Sequence, residues 1–180
     1  VAPAWKLIAS VANAFGLPPL GYLYAPGYGN TALQPELANS VELGLQWAVA
    51  NQRLRATLFQ SRVRQELDYD FSTNKFANLS RTRNRGLELS YSGRVGSADL
   101  RASLTAQDPV DALTGAQRLR RSELLGSAAL SQPLPGGWRV GLAARHVGDR
   151  PDSGGATLAA YTVADATVQW DQTARLQWFA

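Results

Sequence analysis

Along most of this chain, hydrophobic and polar positions alternate with a period of two. From Ser40 to Ala50, residues Val41, Leu43, Leu45, Trp47 and Val49 alternate with Glu42, Gly44, Gln46 and Ala48. That period predicts a strand with one apolar and one polar face. The stretch Asn78–Tyr91, NLSRTRNRGLELSY, carries the same signal with a break in it. Leu87, Leu89 and Tyr91 share a parity, opposite Gly86, Glu88 and Ser90. Upstream, Arg81, Arg83 and Arg85 sit on the leucine parity. Three arginines cannot lie in an apolar layer, so the strand must leave that layer near Gly86. A strand half inside an apolar slab and half above it fits a membrane barrel. It fits equally an ordinary sandwich strand with a solvated end.

Nine strand segments are predicted in order. They run Trp5–Phe15, Ser40–Ala50, Gln52 to about Tyr69, a fourth containing Asn78–Tyr91, and Ala98–Gln107. Four more follow: Arg118–Ser131, Gly137–Val147, Tyr161–Trp170, and one starting at Ala174 and cut off at Ala180. No helix-period pattern of useful length occurs. Short connectors, at Ala50–Gln52, Gly93–Ser97, Pro133–Gly137 and Asp171–Thr173, alternate with longer ones. The longer ones lie at Gly16–Ala38, Asp70–Asn74, Pro109–Gln117 and Asp149–Ala160. A soluble sandwich has no reason to sort its connectors by end, whereas outer-membrane barrels keep short turns inside and long loops outside.

The aromatic residues separate in the same way. Trp5, Trp47, Trp138, Trp170 and Trp178 all fall near the short-turn end. Tyr22, Tyr24, Tyr28, Tyr69 and Tyr161 fall at the long-loop end, with Tyr91 the exception. Aromatics filling a core would not sort by end; aromatics at two membrane interfaces would. The parity then assigns Leu43, Leu45, Leu100, Leu104, Leu142 and Val168 to a lipid face. It assigns Glu42, Glu88, Arg101, Arg139 and Asp165 to a lumen. The predicted fold class is therefore all-β, an antiparallel transmembrane β-barrel segment.

Composition narrows the chemistry. The chain has 180 residues, is 45% hydrophobic and 18% charged, and contains neither Cys nor Met. No apolar run approaches the ~18 residues of a membrane helix. Without Cys there is no disulfide, thiol nucleophile or thiolate metal site. The absence of an initiator Met and of a signal peptide suggests an internal piece of a longer precursor. The net charge is +4 with a sequence pI of about 9.8. The basic residues are arginine except Lys6 and Lys75. They are spread over most strands rather than gathered on one helix, which argues for a polar wall and against nucleic acid. His146, the single histidine, shares parity with Trp138, Val140, Leu142 and Ala144. It makes a poor metal site, and no spacing favours a Ser–His–Asp arrangement. No catalytic residue, metal or cofactor is expected. Gly136-Gly137 and Gly154-Gly155 read as turns rather than phosphate cradles.

Several blocks in order resemble the TonB-dependent outer-membrane receptors. Ala14-Phe15, Pro18-Pro19 and Leu23-Tyr24 look like one family segment. Gly29-Asn30, Leu33 and Pro35-Glu36 look like the next. Asn78, Arg81, Arg83, Gly86 and Glu88 resemble a third, and Arg120-Arg121 a fourth. Order and spacing are closest to the cobalamin (vitamin B12) receptor branch, with siderophore receptors sharing the first three blocks. The resemblance implies a barrel of about 22 strands with a plugged lumen. It implies TonB-coupled uptake of a scarce, bulky ligand, cobalamin or else a ferric siderophore. Residues 1–180 would be a partial barrel domain, lacking the final strand and the N-terminal plug through which TonB acts. The calcium-binding loops of the cobalamin branch would lie upstream.

By position, Arg120 resembles an arginine that contacts the corrinoid. Its parity matches Leu124, Ala128 and Leu130, so it reaches the lumen only above the apolar band or past a bulge. The alternative is that Arg118, Arg120 and Arg121 meet lipopolysaccharide or neighbouring carboxylates. The family's ligand-contacting tyrosine in the next loop is missing; Pro151, Asp152, Ser153, Gly154 and Gly155 stand there. Tyr22, Tyr24 and Tyr28 are candidate outer-loop contacts by position and amphipathic character. The other readings are an outer-membrane barrel enzyme, which His146 on the apolar parity does not favour, and a soluble adhesion sandwich.

Overall fold

A computed structural model describes residues 3–173 and 176–180. Alternation produces long strands, each hydrogen-bonded to the next in sequence. They are β1 (Ala4–Gly16), β2 (Glu36–Val49), β3 (Gln52–Asp70), β4 (Lys75–Val95) and β5 (Ala98–Asp111). After them come β6 (Leu124–Pro133), β7 (Trp138–Val147), β10 (Tyr161–Thr173) and β11 (Leu176–Phe179). Two short strands, β8 (Arg150–Pro151) and β9 (Thr157–Leu158), form a separate hairpin within the connector between β7 and β10. The nine long strands make one antiparallel meander, in the order β1-β2-β3-β4-β5-β6-β7-β10-β11. Among the described residues, β1 and β11 are each paired on one side only, so the sheet is open.

The register lines up the two faces. One row across the sheet reads Leu45, Ala56, Leu89, Leu104, Gly126, His146 and Thr162. The adjacent row, one residue along each strand, reads Gln46, Arg55, Ser90, Ser103, Ser127, Arg145 and Val163. Leu43, Leu45, Leu104, Leu142 and Val168 are exposed, Leu142 by 53%. The only buried hydrophobic residues among those described are Leu33, Ala98 and Val110. A sheet that shows its leucines and encloses no core of its own must bury them against something outside the chain. The tryptophans share the apolar face at the short-turn end. Trp5 faces Trp47, Trp138 stacks on Trp170 with ring centroids 5.4 Å apart, and Trp178 pairs with Trp170.

Near Gly86, the predicted point of exit, backbone and ring crowd the polar face. A Cβ on Gly86 would lie 2.3 Å from the Ala106 carbonyl oxygen and 2.8 Å from the Phe59 ring. Phe59 stands directly opposite Gly86 and covers it. An aromatic laid over a strand glycine restores packing that the missing side chain gives up.

Three differences separate structure from expectation. The sixth strand starts at Leu124, not Arg118; residues 118–121 belong to the preceding loop. Arg120 has φ 59°, which a regular strand ladder does not accommodate, and the Ser122 hydroxyl donates to the Leu124 carbonyl. The connector between β3 and β4 is a four-residue turn, 71–74, and the outer reach there comes from the strands themselves. A one-turn helix, α1 (Leu20–Tyr24), occupies the first long connector. The predicted start of the last strand at Ala174 lies outside the described residues.

Candidate functional site

The outer connectors are fastened to the sheet at a bulge. In β3 the register slips between Val63 and Leu67, where Gln65 takes φ 58°. Asn78 on β4 stitches this irregularity to the first long loop. Its Nδ2 donates to the carbonyls of Gln65 (2.6 Å) and Gln34 (2.9 Å), and its Oδ1 accepts from the Gln34 amide. Glu36 reaches the same place, accepting from the Leu67 amide at 2.7 Å. Extra residues at a bulge re-aim side chains. Here Glu66 accepts hydrogen bonds from Ser80, Thr82 and, at 2.8 Å, the Arg118 guanidinium. An arginine 52 residues away is thereby bound to β3, and with it the loop between β5 and β6.

Two groups of candidate ligand-contacting residues result. In the first, Phe76 is the centre of an aromatic cluster. Tyr22 stacks on it at 3.7 Å, and Tyr69 and Tyr28 meet it edge-on at 5.2 and 6.0 Å. Tyr69 also meets Phe71, which projects from the β3–β4 turn. Asn30 donates to the Phe76 carbonyl and Phe76 N–H to the Tyr28 carbonyl, so rings and backbone dock the loop together. Tyr24 is exposed and takes no part in these ring contacts. Sequence reasoning picked Tyr22 and Tyr28 but missed Phe76, their common partner. The available signal was the parity flip after the bulge, from Leu54 and Leu58 to Leu67 and Tyr69.

The second group is ionic. Arg120 donates from Nε to Asp152 at 2.8 Å, and its amide donates to the Pro151 carbonyl. Its left-handed backbone costs a non-glycine residue about 1–2 kcal/mol. These bonds from the β8 hairpin hold it there. The Asp152 carboxyl is held below the ordinary carboxylate value by the Ser153 amide and then by Arg120. Asp111 is lowered by the Thr114 and Leu113 amides, and Asp70 by Ser72 and Thr73. Arg150 lies over the Tyr161 ring at 5.4 Å. Arg120 and the tyrosines therefore belong to separate clusters, each anchored to its own neighbours.

Below these loops the polar face is a wall of small hydroxyls and scattered charges. Glu42, Arg55, Thr57, Phe59, Glu88 and Gln107 line a shallow hollow of about 510 Å³. Ser103 and Ser127 share a hydrogen bond at 2.8 Å across β5 and β6. His146 lies on the other face, its Nδ1 2.9 Å from Thr162 Oγ1. Among the described residues, no group of three or more His, Cys, Asp or Glu could hold a metal.

The family described as TonB dependent receptor-like, beta-barrel matches residues 1–180. The chain belongs to the TonB-dependent receptor β-barrel family. Its sheet is a segment of that antiparallel barrel. Among curated proteins it is similar to the vitamin B12 transporter BtuB of Vibrio cholerae serotype O1, 27% identical over 176 residues. That match covers 93% of this chain and 28% of the transporter. The vitamin B12 transporter BtuB of Vibrio vulnificus strain YJ016 is also 27% identical, over 95% of this chain. The chain thus spans about 28% of the length of these relatives. The ferric yersiniabactin uptake receptor FyuA of Yersinia pestis shares the fold, with TM-score 0.78 at 16% identity. It is matched over 96% of this chain and 28% of its own. The siderophore receptor PirA of Acinetobacter baumannii also has TM-score 0.78, at 17% identity over 94% of this chain and 33% of its own. These relatives are transport receptors.

Proposed function

We propose that this chain is part of the barrel wall of an outer-membrane receptor that imports cobalamin, energised by TonB through an N-terminal plug. The observation that carries the reading is the division of one sheet into an apolar face and a polar face. The tryptophans edge the apolar face at the short-turn end. Apolar rows belong against lipid and polar rows against a lumen. The full barrel in this reading has about 22 strands. The likeness to two vitamin B12 transporters supports cobalamin over other cargoes.

In this reading Tyr22, Tyr24, Tyr28 and Arg120 contact the ligand from outside. Tyr22 and Tyr28, set against Phe76, offer a rigid amphipathic surface to a large ring system. Tyr24, free of that cluster, contributes an exposed ring and hydroxyl. Arg120 uses Nε for Asp152, leaving its terminal amino groups to donate to amide or phosphate oxygens.

Binding of labelled cobalamin to cells expressing the full-length receptor tests this. Competition by unlabelled cobalamin and not by ferric siderophores is expected. Arg120→Ala and Tyr24→Ala should each weaken binding severalfold. No saturable cobalamin binding, together with saturable binding of a labelled ferric siderophore to the same cells, would transfer the receptor to siderophore uptake.

A further inference from the structure

The apolar face changes character above the Leu43, Leu58 and Leu87 row. The next row on that face reads Val41, Gln60, Arg85 and Asp108, and the one beyond it Asn39, Arg62, Arg83 and Val110. Arg64 and Arg81 follow on the same face. Two residues of strand advance about 6.6 Å, so this arginine cluster begins within roughly 7–14 Å of the last leucine row. That is headgroup height above a hydrocarbon slab.

The charges there are unbalanced. Arg83 and Arg85 share the single carboxylate Asp108, at 3.6 and 3.1 Å. Arg62 and Arg81 have no carboxylate partner among the described residues, and Arg64 has only a 3.4 Å contact to the Asn39 side-chain oxygen. Arg83 Nε is shielded from water yet has no acceptor. A buried donor without an acceptor is costly, and an anionic oxygen would satisfy it. Arg62, Arg64, Arg81 and Arg83 surround a recess of about 400 Å³ bordered by Ala112 and the exposed Leu113. By contrast, Arg118 and Arg120 each have a carboxylate of their own, Glu66 and Asp152.

We infer that Arg62, Arg64, Arg81 and Arg83 form a site for the phosphate of an outer-leaflet glycolipid, with Leu113 at its apolar edge. Guanidinium forks match phosphate oxygens in pairs. The position directly above an apolar face favours a lipid-borne phosphate over a free one. The inference rests on the outer-membrane reading above.

The test uses the full-length receptor purified from outer membranes in detergent and titrated with phosphorylated lipid A. Binding is expected, and it should weaken on the order of tenfold in the double variant Arg62→Gln/Arg81→Gln. Arg62→Lys/Arg81→Lys should recover part of the affinity, and lipid A stripped of phosphate should bind the original receptor as poorly as the glutamine variant binds the phosphorylated form. Heat-modifiable mobility identifies folded variants. Unchanged lipid A binding by a folded glutamine variant, equal binding of dephosphorylated lipid A, or displacement by millimolar inorganic phosphate would each overturn the site. A receptor absent from the outer-membrane fraction would instead overturn the functional reading on which it rests.

Discussion

The two faces of this sheet lie one residue apart along every strand, yet they are built for different solvents. On one, Leu45, Leu89 and Leu104 stand in a row; on the other, Gln46, Ser90 and Ser103 do. In a soluble sandwich the leucine face would be covered by a second sheet. Here it is open, while at the same level the polar face carries Glu42, Arg55 and Glu88 around a shallow hollow. The contrast teaches that polarity in this chain is inverted relative to a globular domain: the leucines are its outer surface.

The largest expected effect follows directly. In the full-length receptor, Leu89→Arg should lower stability by about 2–4 kcal/mol, because a cation on the lipid face near midplane is destabilising. Ser90→Arg, one residue away, should change it little. Urea unfolding of the folded receptor in bilayers measures both. Equal losses at the two positions would break the distinction between the faces.

A smaller effect is expected where the polar face is tightest. Gly86→Ala puts a methyl group against the Ala106 carbonyl and the Phe59 ring, and should cost about 1–3 kcal/mol. Adding Phe59→Ala should relieve only the ring contact, because the carbonyl cannot retreat without breaking the β4–β5 ladder. The same unfolding experiment, run on single and double variants, checks this.

The strand order and both faces were legible in the sequence because period two is written directly in residue types. Leu87-Glu88-Leu89-Ser90-Tyr91 allows only one assignment of sides once it is a strand. The loops were less legible because their contacts are non-local. Nothing near Arg118 announces Glu66 as its partner, and nothing near Tyr22 announces Phe76. Leu124, Ala128 and Leu130 extend a parity back to Arg120, which makes it look like part of the strand. The left-handed turn at that residue is invisible to such counting.

The smallest effect concerns these loops. The aromatic cluster is uncharged, whereas the Arg120 turn depends on ionised Asp152. A carboxyl held below its unfolded value near ~3.9 contributes stability that is present above that pH and lost as pH falls through the folded value. Hydrogen exchange in the 148–160 loop should therefore accelerate below about pH 4. The Tyr22–Phe76 contact itself involves no such carboxyl and should keep its protection over the same range, whereas the 70–74 turn, where Ser72 and Thr73 hold Asp70 low, should loosen with the Arg120 turn. Parallel loss at that contact and in the 148–160 loop would erase the difference between them.

The central claim is the assignment of sides. It is tested most directly by placing single cysteines at Leu43 and Glu42 of the full-length receptor in intact outer membranes. A water-soluble thiol reagent small enough to enter the lumen is then applied. Labelling is expected at Glu42→Cys, with Leu43→Cys protected by lipid. Efficient labelling at Leu43→Cys with none at Glu42→Cys would contradict it.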